Sequence, residues 1–274
     1  MSLRPKEPLR VGIAGLGAIG MPVARWLDDG VDGLTLVGVC AGNRESAAKR
    51  VSDFVSPPPV LGLTELVDAS DVIVECLPPP MFMDLAGPVV AQGKTLIVLT
   101  LTSLLVNFDL VERARESGAQ LIAATGALLG FDAVRAAAKG DVYSVVMKTR
   151  KPPAGLKHAP FVVEQGFDMD NLTEPVCLYS GSVRDAAAKF PANVNVAVAL
   201  ALAGIGPDRT EYEIWADPKV ERNTHHIAVD ASSTRFEMSI AGVPTAENPA
   251  TGKLTPLSVM ATLERLVAPF TVGT

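Results

Sequence analysis

The sequence predicts an α/β fold: a doubly wound parallel sheet, followed by a second, smaller α+β domain. Three observations predict it. A glycine-rich turn joins an apolar run to an amphipathic segment near the start of the chain, and apolar runs then alternate with helical segments over the first half. In the second half, closely spaced strand-like runs take over. The 274 residues are enough for two domains of ordinary size.

The first half follows a regular strand–helix rhythm. Ile19, Val23 and Leu27 repeat at a spacing of four, which is typical of a helix with one buried face. The predicted strands are 9–14, 34–40, 71–77, 95–101 and 120–125, and the helices after the first are 45–54, 81–93 and 105–118. Parallel strands with right-handed helical crossovers form a Rossmann-type sheet, which we assign to a dinucleotide-binding domain over residues 1–124.

The turn after the first strand, GLGAIG, has the glycine spacing of dinucleotide-binding turns. Gly15 permits the tight turn, Gly17 lets the backbone approach a pyrophosphate, and Gly20 lets the helix pack close to the strand. Ala18 and Ile19 lie between them, at the amino end of the helix, where backbone N–H groups favour a phosphate. We therefore expect these five residues to contact NAD or NADP; the alternative is an ordinary strand-to-helix turn.

The residues after the second strand bear on the choice between the two cofactors. NAD-binding domains commonly carry an acidic residue there for the ribose 2'-hydroxyl, but this chain has Asn43 and Arg44, with no acid before Glu45. A carboxylate would repel a 2'-phosphate, whereas Arg44 would attract one. This pattern favours NADP, with NAD or dual use as the alternative. The alternative is that Arg44 is a solvated residue at the start of a helix.

The second half predicts a mixed or antiparallel sheet with few helices. The predicted strands are 141–153, 174–181, 210–218, 225–231 and 234–242. An alanine-rich helix over 184–204 is interrupted by Pro191, and a last helix covers 254–270. We assign residues 125–245 to a substrate-binding and catalytic domain, and we expect the segment 246–274 to return to the first domain as a helix.

Composition excludes several classes of function. The net charge of −6 argues against nucleic acid, because proteins that bind it usually concentrate Lys and Arg. The three cysteines lie far apart and have no spacing suited to a metal site or a disulfide framework. No segment resembles a signal peptide or a membrane span. We therefore expect a cytoplasmic protein without a metal.

Several segments resemble the L-aspartate dehydrogenase family, and they occur in the family's order. They are ATGALLGFDAVRAA, MKTRKPP, KFPANVNVAVALALAG, the tripeptide Ala216-Asp217-Pro218, and RNTHHI. Together with the glycine turn, the resemblance covers most of the chain. It implies a homodimeric enzyme, with the second domain as its dimerisation domain. The implied reaction oxidises aspartate with NAD or NADP to iminoaspartate, which hydrolyses to oxaloacetate and ammonia or feeds quinolinate synthesis.

The resemblance also assigns site residues. The family's active-site histidine corresponds to His225 in the N-x-H-x-I segment, which begins at Asn223, and its cofactor contacts correspond to Ala127 and Asn195. Periodicity alone does not choose between His225 and its neighbour His226; it predicts only that their side chains point to opposite faces of a strand.

The chemistry of the reaction suits these assignments. Histidine titrates near neutral pH, which suits the proton transfers of deamination, although a purely structural His225 is the alternative. A diacid substrate also needs cationic or amide partners. We expect Lys151, Asn193 and Asn223 to bind it; the other candidates are Lys148, Arg150, Lys189 and Arg222.

Two other functions stay open on sequence grounds. One is another two-domain NADP oxidoreductase that acts on a semialdehyde or a hydroxy acid, because the glycine turn does not exclude it. The other is a non-catalytic nucleotide-sensing protein, since a fold does not determine a function.

Overall fold

The computed structural model describes residues 7–124, 126, 128–245, 247 and 251–273. The chain divides into two compact units. The first unit is Met1–Ala124 with Thr255–Val272, and the second unit is Thr125–Leu254 with Gly273–Thr274.

The first unit is built on a sheet whose five strands, among the described residues, all pair in parallel. These strands are β1 (Leu9–Ala14), β2 (Leu34–Cys40), β3 (Val72–Glu75), β4 (Thr95–Val98) and β5 (Gln120–Ala123). Their order is β2-β1-β3-β4-β5, so the direction of winding reverses between β1 and β3. In doubly wound sheets, ligands bind outside the carboxyl ends of the strands at such a reversal.

The helices of the first unit follow the predicted rhythm with two corrections. They begin with α1 (Gly20–Asp28), α2 (Arg44–Val51), α3 (Leu63–Ala69), α4 (Phe82–Ala91), α5 (Leu101–Val106) and α6 (Asp109–Ser117). The predicted helix 105–118 is wrong as a single element, because α5 ends before Asn107 and α6 starts after it. Helix α3 was not predicted; the Glu65 side chain accepts a hydrogen bond from the Gly62 N–H and so stabilises its start.

The second unit contains the predicted mixed sheet. Its strands are β6 (Val142–Lys151), β7 (Val176–Ser182), β8 (Glu211–Ala216), β9 (Asn223–Ala231) and β10 (Arg235–Gly242), in the order β10-β9-β6-β8-β7. Strands β6 and β8 are parallel, and the other neighbours are antiparallel. The helices are α7 (Phe131–Ala137), α8 (Pro160–Glu164), α9 (Val183–Lys189) and α10 (Asn195–Ala203). The alanine-rich segment thus forms two helices, with Pro191 in the connection between them.

The last helix, α11 (Leu254–Val267), belongs for most of its length to the first unit. Val259 and Leu263 are fully buried in the same apolar cluster as Val11 and Val23. In the part of the chain that the structure describes, no helix has both the length and the apolar character needed to cross a membrane.

Candidate active site

The second unit carries a polar row at one end of an otherwise apolar sheet face. Strands β6 and β9 pair Met147 with Ile227 on this buried face, and the next pair in the same direction is Thr149 with His225. Because side chains alternate along a strand, Lys151 follows Thr149 on the same face. All three polar residues are buried, so this end of the face is built from groups that are costly to bury unless they have partners.

His225 is held in this row as a neutral imidazole. Only 5% of the residue is exposed, and its Nδ1 lies 2.9 Å from Oγ1 of Thr149. Burial, with a smaller effect from the positive charge of Lys151, lowers the pKa of His225 to about 3. With Nδ1 engaged by Thr149, the other ring nitrogen, Nε2, is the one left for reacting groups.

Lys151 brings an ammonium group into the same buried row. Its Nζ donates to the main-chain oxygen of Asn193 at 3.2 Å and to Oδ1 of the same residue at 3.4 Å. Burial lowers the pKa of Lys151 to about 8, so the group is still mostly charged at neutral pH. Among the described residues, no carboxylate forms an ion pair with it. A buried cation with only neutral oxygen partners favours an anionic ligand.

The other predicted cations lie apart from this row, in contacts of their own. Lys148 pairs with Glu213 at 3.0 Å, and Arg150 pairs with Asp217 at 2.9 Å. Lys189 lies over two aromatic rings, and Arg222 is exposed. Lys151 is therefore the cation that the fold brings to His225.

The two adjacent histidines differ as the strand period predicts. The Nδ1 of His226 lies 2.9 Å from Oγ of Ser239, and its Nε2 lies 3.6 Å from Glu237. These partners are on the exposed face of the sheet, whereas His225 is buried on the other face. The geometry thus separates the two side chains, and only His225 lies beside Thr149.

The first unit has the backbone needed for close approach of a dinucleotide. Gly15 has φ +101°, and a Cβ there would lie 2.3 Å from the carbonyl oxygen of Cys76. A Cβ on Gly20 would lie 1.8 Å from the carbonyl oxygen of Gly15. A Cβ on Gly17 would meet no atom of the described residues within 4 Å, so packing within this part of the chain does not require a glycine there. Open space over the exposed Gly17, just before the amino end of α1, fits a pyrophosphate.

The residues after β2 have structural partners. Asn43 caps α2, since its Oδ1 accepts a hydrogen bond from the Ser46 N–H at 2.9 Å. Arg44 starts that helix and donates to Glu65 at 3.1 Å, which contributes to lowering the pKa of that carboxyl. Arg50 donates to the carbonyl oxygen of Leu16 at 2.6 Å, which places its guanidinium on the glycine turn.

The remaining predicted contacts are half-buried or lie outside the described residues. Asn195 is the first residue of α10, and Asn223 is the first residue of β9. Ala18 and Ile19 precede α1. Ala127 is not among the residues that the structure describes.

Two family models match the chain. Residues 132–266 match the family described as "Aspartate dehydrogenase, C-terminal", and residues 15–124 match "Homoserine dehydrogenase, NAD binding domain". The L-aspartate dehydrogenase of Bradyrhizobium diazoefficiens is 50% identical over 266 residues, which cover 97% of this chain and 94% of that relative. The chain belongs to the L-aspartate dehydrogenase family. L-aspartate dehydrogenase 3 of Bordetella bronchiseptica is 47% identical over 98% of this chain and 99% of its own length.

The fold agrees with that of a solved structure. The crystal structure of aspartate dehydrogenase from Thermotoga maritima matches with a TM-score of 0.73 over 97% of this chain and 99% of the other, at 21% identity. The predicted fold class and the resemblance to the L-aspartate dehydrogenase family are therefore confirmed. The predicted enzyme class, an NAD(P)-dependent amino-acid dehydrogenase, is confirmed at the level of the family.

Sequence reasoning missed two residues of the site in this L-aspartate dehydrogenase family member. Thr149 is fully buried against His225, and Tyr212, which is 1% exposed, lies beside Thr149. Burial raises the pKa of the Tyr212 phenol. Both residue types are common in strands, so only the register of β6, β8 and β9 could have identified them.

Proposed function

We propose that the protein catalyses the NAD(P)-dependent oxidative deamination of L-aspartate, with the row of Lys151, Thr149 and His225 as its catalytic centre. The observation that carries this proposal is the buried ammonium group of Lys151, which has no carboxylate partner among the described residues and acts electrostatically on a neutral imidazole. A small anionic substrate would complete such a site.

Lys151 binds one carboxylate of the substrate in this proposal. A carboxylate on Nζ recovers part of the free energy that burial of the ammonium group costs. The amides of Asn193 and Asn223 supply hydrogen bonds to the same diacid. Asn193 already accepts from Lys151, so its side chain lies within reach of whatever Lys151 binds.

His225 is the acid/base residue. Its pKa of about 3 describes the site without substrate. Two substrate carboxylates would stabilise the charged imidazolium directly and would also offset the smaller effect of Lys151, so substrate binding raises the pKa of the imidazole from this low value. At Nε2 it takes a proton from the substrate amine or from the water that adds to the imine, and it returns the proton to the departing ammonia.

The nicotinamide cofactor supplies the hydride acceptor for C2 of aspartate. Gly15, Gly17, Ala18, Ile19 and Gly20 hold its pyrophosphate in the first unit. Asn195 and Ala127 are further cofactor contacts, as the family resemblance implies.

NADP is the cofactor that we favour over NAD, because no acidic residue lies between the end of β2 and Arg44. Arg44 and Asn43 flank the place of the 2'-phosphate, although Asn43 also caps α2 and Arg44 has Glu65 as a partner. Arg50 adds positive potential on the glycine turn.

A direct assay tests the activity. The purified protein is mixed with NAD or NADP and with L-aspartate, other amino acids, hydroxy acids or semialdehydes, and reduced nicotinamide is followed by its absorbance. Turnover of L-aspartate alone supports the proposal. Turnover of a different acid would make the protein another oxidoreductase of the same fold, and cofactor binding without turnover of any substrate would make it a nucleotide sensor.

A cytoplasmic homodimer is the state that fits this function. The three cysteines are free thiols, as is usual in a reducing compartment. Every second residue of β10 is exposed, so one face of its sheet is open, and half-buried Trp215 lies beneath Arg150 in the same sheet. An aromatic residue suits a contact between subunits. Analytical ultracentrifugation tests the dimer, and a monomer at assay concentrations would contradict it.

A further inference from the structure

Three buried residues lie side by side on adjacent strands of the second sheet. Tyr212 on β8 lies beside Thr149 on β6, and Oγ1 of Thr149 lies 2.9 Å from Nδ1 of His225 on β9. The exposed fractions are 1% for Tyr212, 0% for Thr149 and 5% for His225. Bulk water therefore does not compete for the bond between Thr149 and His225, and the packed phenol of Tyr212 helps to hold Thr149 in place.

We propose that Thr149 is a positioning residue for His225: it holds Nδ1 of the imidazole, so that proton exchange with the substrate passes through Nε2. The inference rests on the acid/base role of His225 proposed above. An imidazole has two ring nitrogens, and the partner of one decides the orientation of the ring and the availability of the other. Acid/base residues are commonly oriented by a third group in this way.

A threonine hydroxyl suits this task better than a carboxylate would at the same position. It both donates and accepts, so it stays bonded to Nδ1 whether the imidazole is neutral or charged. A carboxylate would stabilise the imidazolium at all times, whereas a neutral hydroxyl leaves the low pKa that burial and Lys151 produce and lets the bound substrate determine the charge of His225.

Tyr212 packs beside the side chain of Thr149. The β-branched side chain of Thr149 is already restricted at χ1, and the buried phenol beside it leaves little room for another rotamer. Tyr212 itself has space for only one arrangement, since it is among the largest fully buried side chains of the described residues. The register of β6 and β9 therefore also sets the orientation of the imidazole ring of His225.

Three variants test the proposal. Thr149→Val has nearly the same shape but lacks the hydroxyl, Thr149→Ser keeps the hydroxyl, and Thr149→Val combined with Tyr212→Phe also removes the neighbouring phenol. We expect both variants with valine to lower kcat for L-aspartate by about 10- to 100-fold, with a KM change below about threefold. Thr149→Ser should stay within about threefold of the wild type, because the hydroxyl restores the bond to Nδ1.

Nitrogen NMR gives a readout that does not depend on turnover. The chain has only three histidines, so ¹⁵N-histidine labelling yields few signals, and the variants His158→Gln and His226→Gln together assign them. The Nδ1 and Nε2 shifts of His225 should change in Thr149→Val and stay near the wild-type values in Thr149→Ser. Unchanged shifts in the valine variant, or wild-type kcat in both valine variants, would overturn the proposal.

The role of Thr149 and the role of His225 are separated by one further variant. If His225→Ala loses turnover while both valine variants keep it, the inference about Thr149 is wrong and the proposed function stands. If His225→Ala is fully active, the acid/base role falls, and the inference falls with it.

Discussion

Lys151 shows how binding and stability oppose each other at a single residue. Burial lowers the pKa of its ammonium group from 10.5 to about 8, so the folded state holds that proton less tightly than the unfolded state. Since each pKa unit corresponds to about 1.4 kcal/mol, the charged group costs the fold about 3 kcal/mol at neutral pH. The stability of the fold alone does not explain why a lysine occupies this position.

Replacing this lysine should therefore stabilise the protein and impair substrate binding. We expect Lys151→Met to raise the free energy of unfolding at pH 7 by about 1–3 kcal/mol, and to raise the KM for L-aspartate by about 100-fold or more. Urea unfolding and steady-state kinetics measure the two effects. Lys148→Met is the matched control, because Lys148 is half-exposed and should change both quantities little. Wild-type KM in Lys151→Met would remove this residue from the substrate site.

His225 and His226 make a second matched pair. His225→Ala should lower turnover by about 100-fold or more and leave cofactor affinity near the wild-type value, as expected for a group that acts on the substrate. His226→Ala should keep turnover, because its partners Ser239 and Glu237 lie on the exposed face. Steady-state kinetics measure turnover, and titration with NADP measures cofactor affinity. Equal losses of turnover in the two variants would contradict the assignment of His225 as the acid/base residue.

The cofactor preference should depend on the arginine after β2. Arg44→Ala should weaken binding of NADP by about tenfold and change NAD little, since only NADP offers a phosphate to the guanidinium. Calorimetric titration with each cofactor measures the two affinities. Lys49→Ala is the control, because Lys49 is exposed on the same helix and pairs with Glu45 at 2.8 Å. Equal losses for NADP and NAD in Arg44→Ala would refute the 2'-phosphate role.

At the scale of the element, the turn between β1 and α1 distinguishes glycines that the fold needs from one that the ligand needs. A methyl group on Gly20 would overlap the carbonyl oxygen of Gly15, whereas a methyl group on Gly17 would stand in open space. The first substitution acts on packing of the helix against the turn, and the second acts on whatever approaches the backbone there.

Alanine variants of this turn should separate the two effects. Gly20→Ala should lower the free energy of unfolding by about 3 kcal/mol or more, because the clash is with backbone that cannot easily move. Gly17→Ala should unfold with nearly the wild-type midpoint and bind NADP at least about tenfold more weakly. Thermal unfolding and calorimetric titration measure the pair. Wild-type cofactor affinity in Gly17→Ala would mean that no pyrophosphate lies over this residue.

The elements of the first sheet were predictable because buried parallel strands are short apolar runs between helices. Two features of the helices were less predictable. The separation of α5 from α6 occurs at Asn107, and the start of α3 is stabilised by the hydrogen bond from the Gly62 N–H to Glu65. Asn43 illustrates the same limit, since its capping bond to Ser46 is local, but nothing in its sequence context distinguishes a cap from a cofactor contact.

The candidate site was predictable only in part for a related reason. Strand period predicted that the two adjacent histidines point to opposite faces of the sheet, and the family resemblance selected His225. Thr149 lies 76 positions from His225 in the sequence and meets it only through the register of β6 and β9. Long-range register of this kind is set by the packing of whole strands, which local pattern does not report.

For the molecule as a whole, the buried row makes stability depend on pH in a defined direction. The pKa of His225 is about 3 in the folded state and near 6.5 when the chain is unfolded. Between these values the unfolded state binds more protons, so the free energy of unfolding falls as pH falls. Stability from the neutral imidazole is fully present above about pH 6.5 and is lost progressively toward pH 3.

This dependence should disappear when the imidazole is replaced. From pH 6.5 to pH 4, the wild type should lose about 3 kcal/mol more stability than His225→Gln, because 2.5 pH units at about 1.4 kcal/mol each act on one group. Urea unfolding at several pH values gives both curves, and their difference cancels the carboxylates that titrate in both proteins. His226→Gln should give a curve parallel to the wild type, since that side chain is partly exposed. If the His225→Gln curve is also parallel, the imidazole is not held neutral in the folded enzyme, and the electrostatic argument that joins it to Lys151 fails.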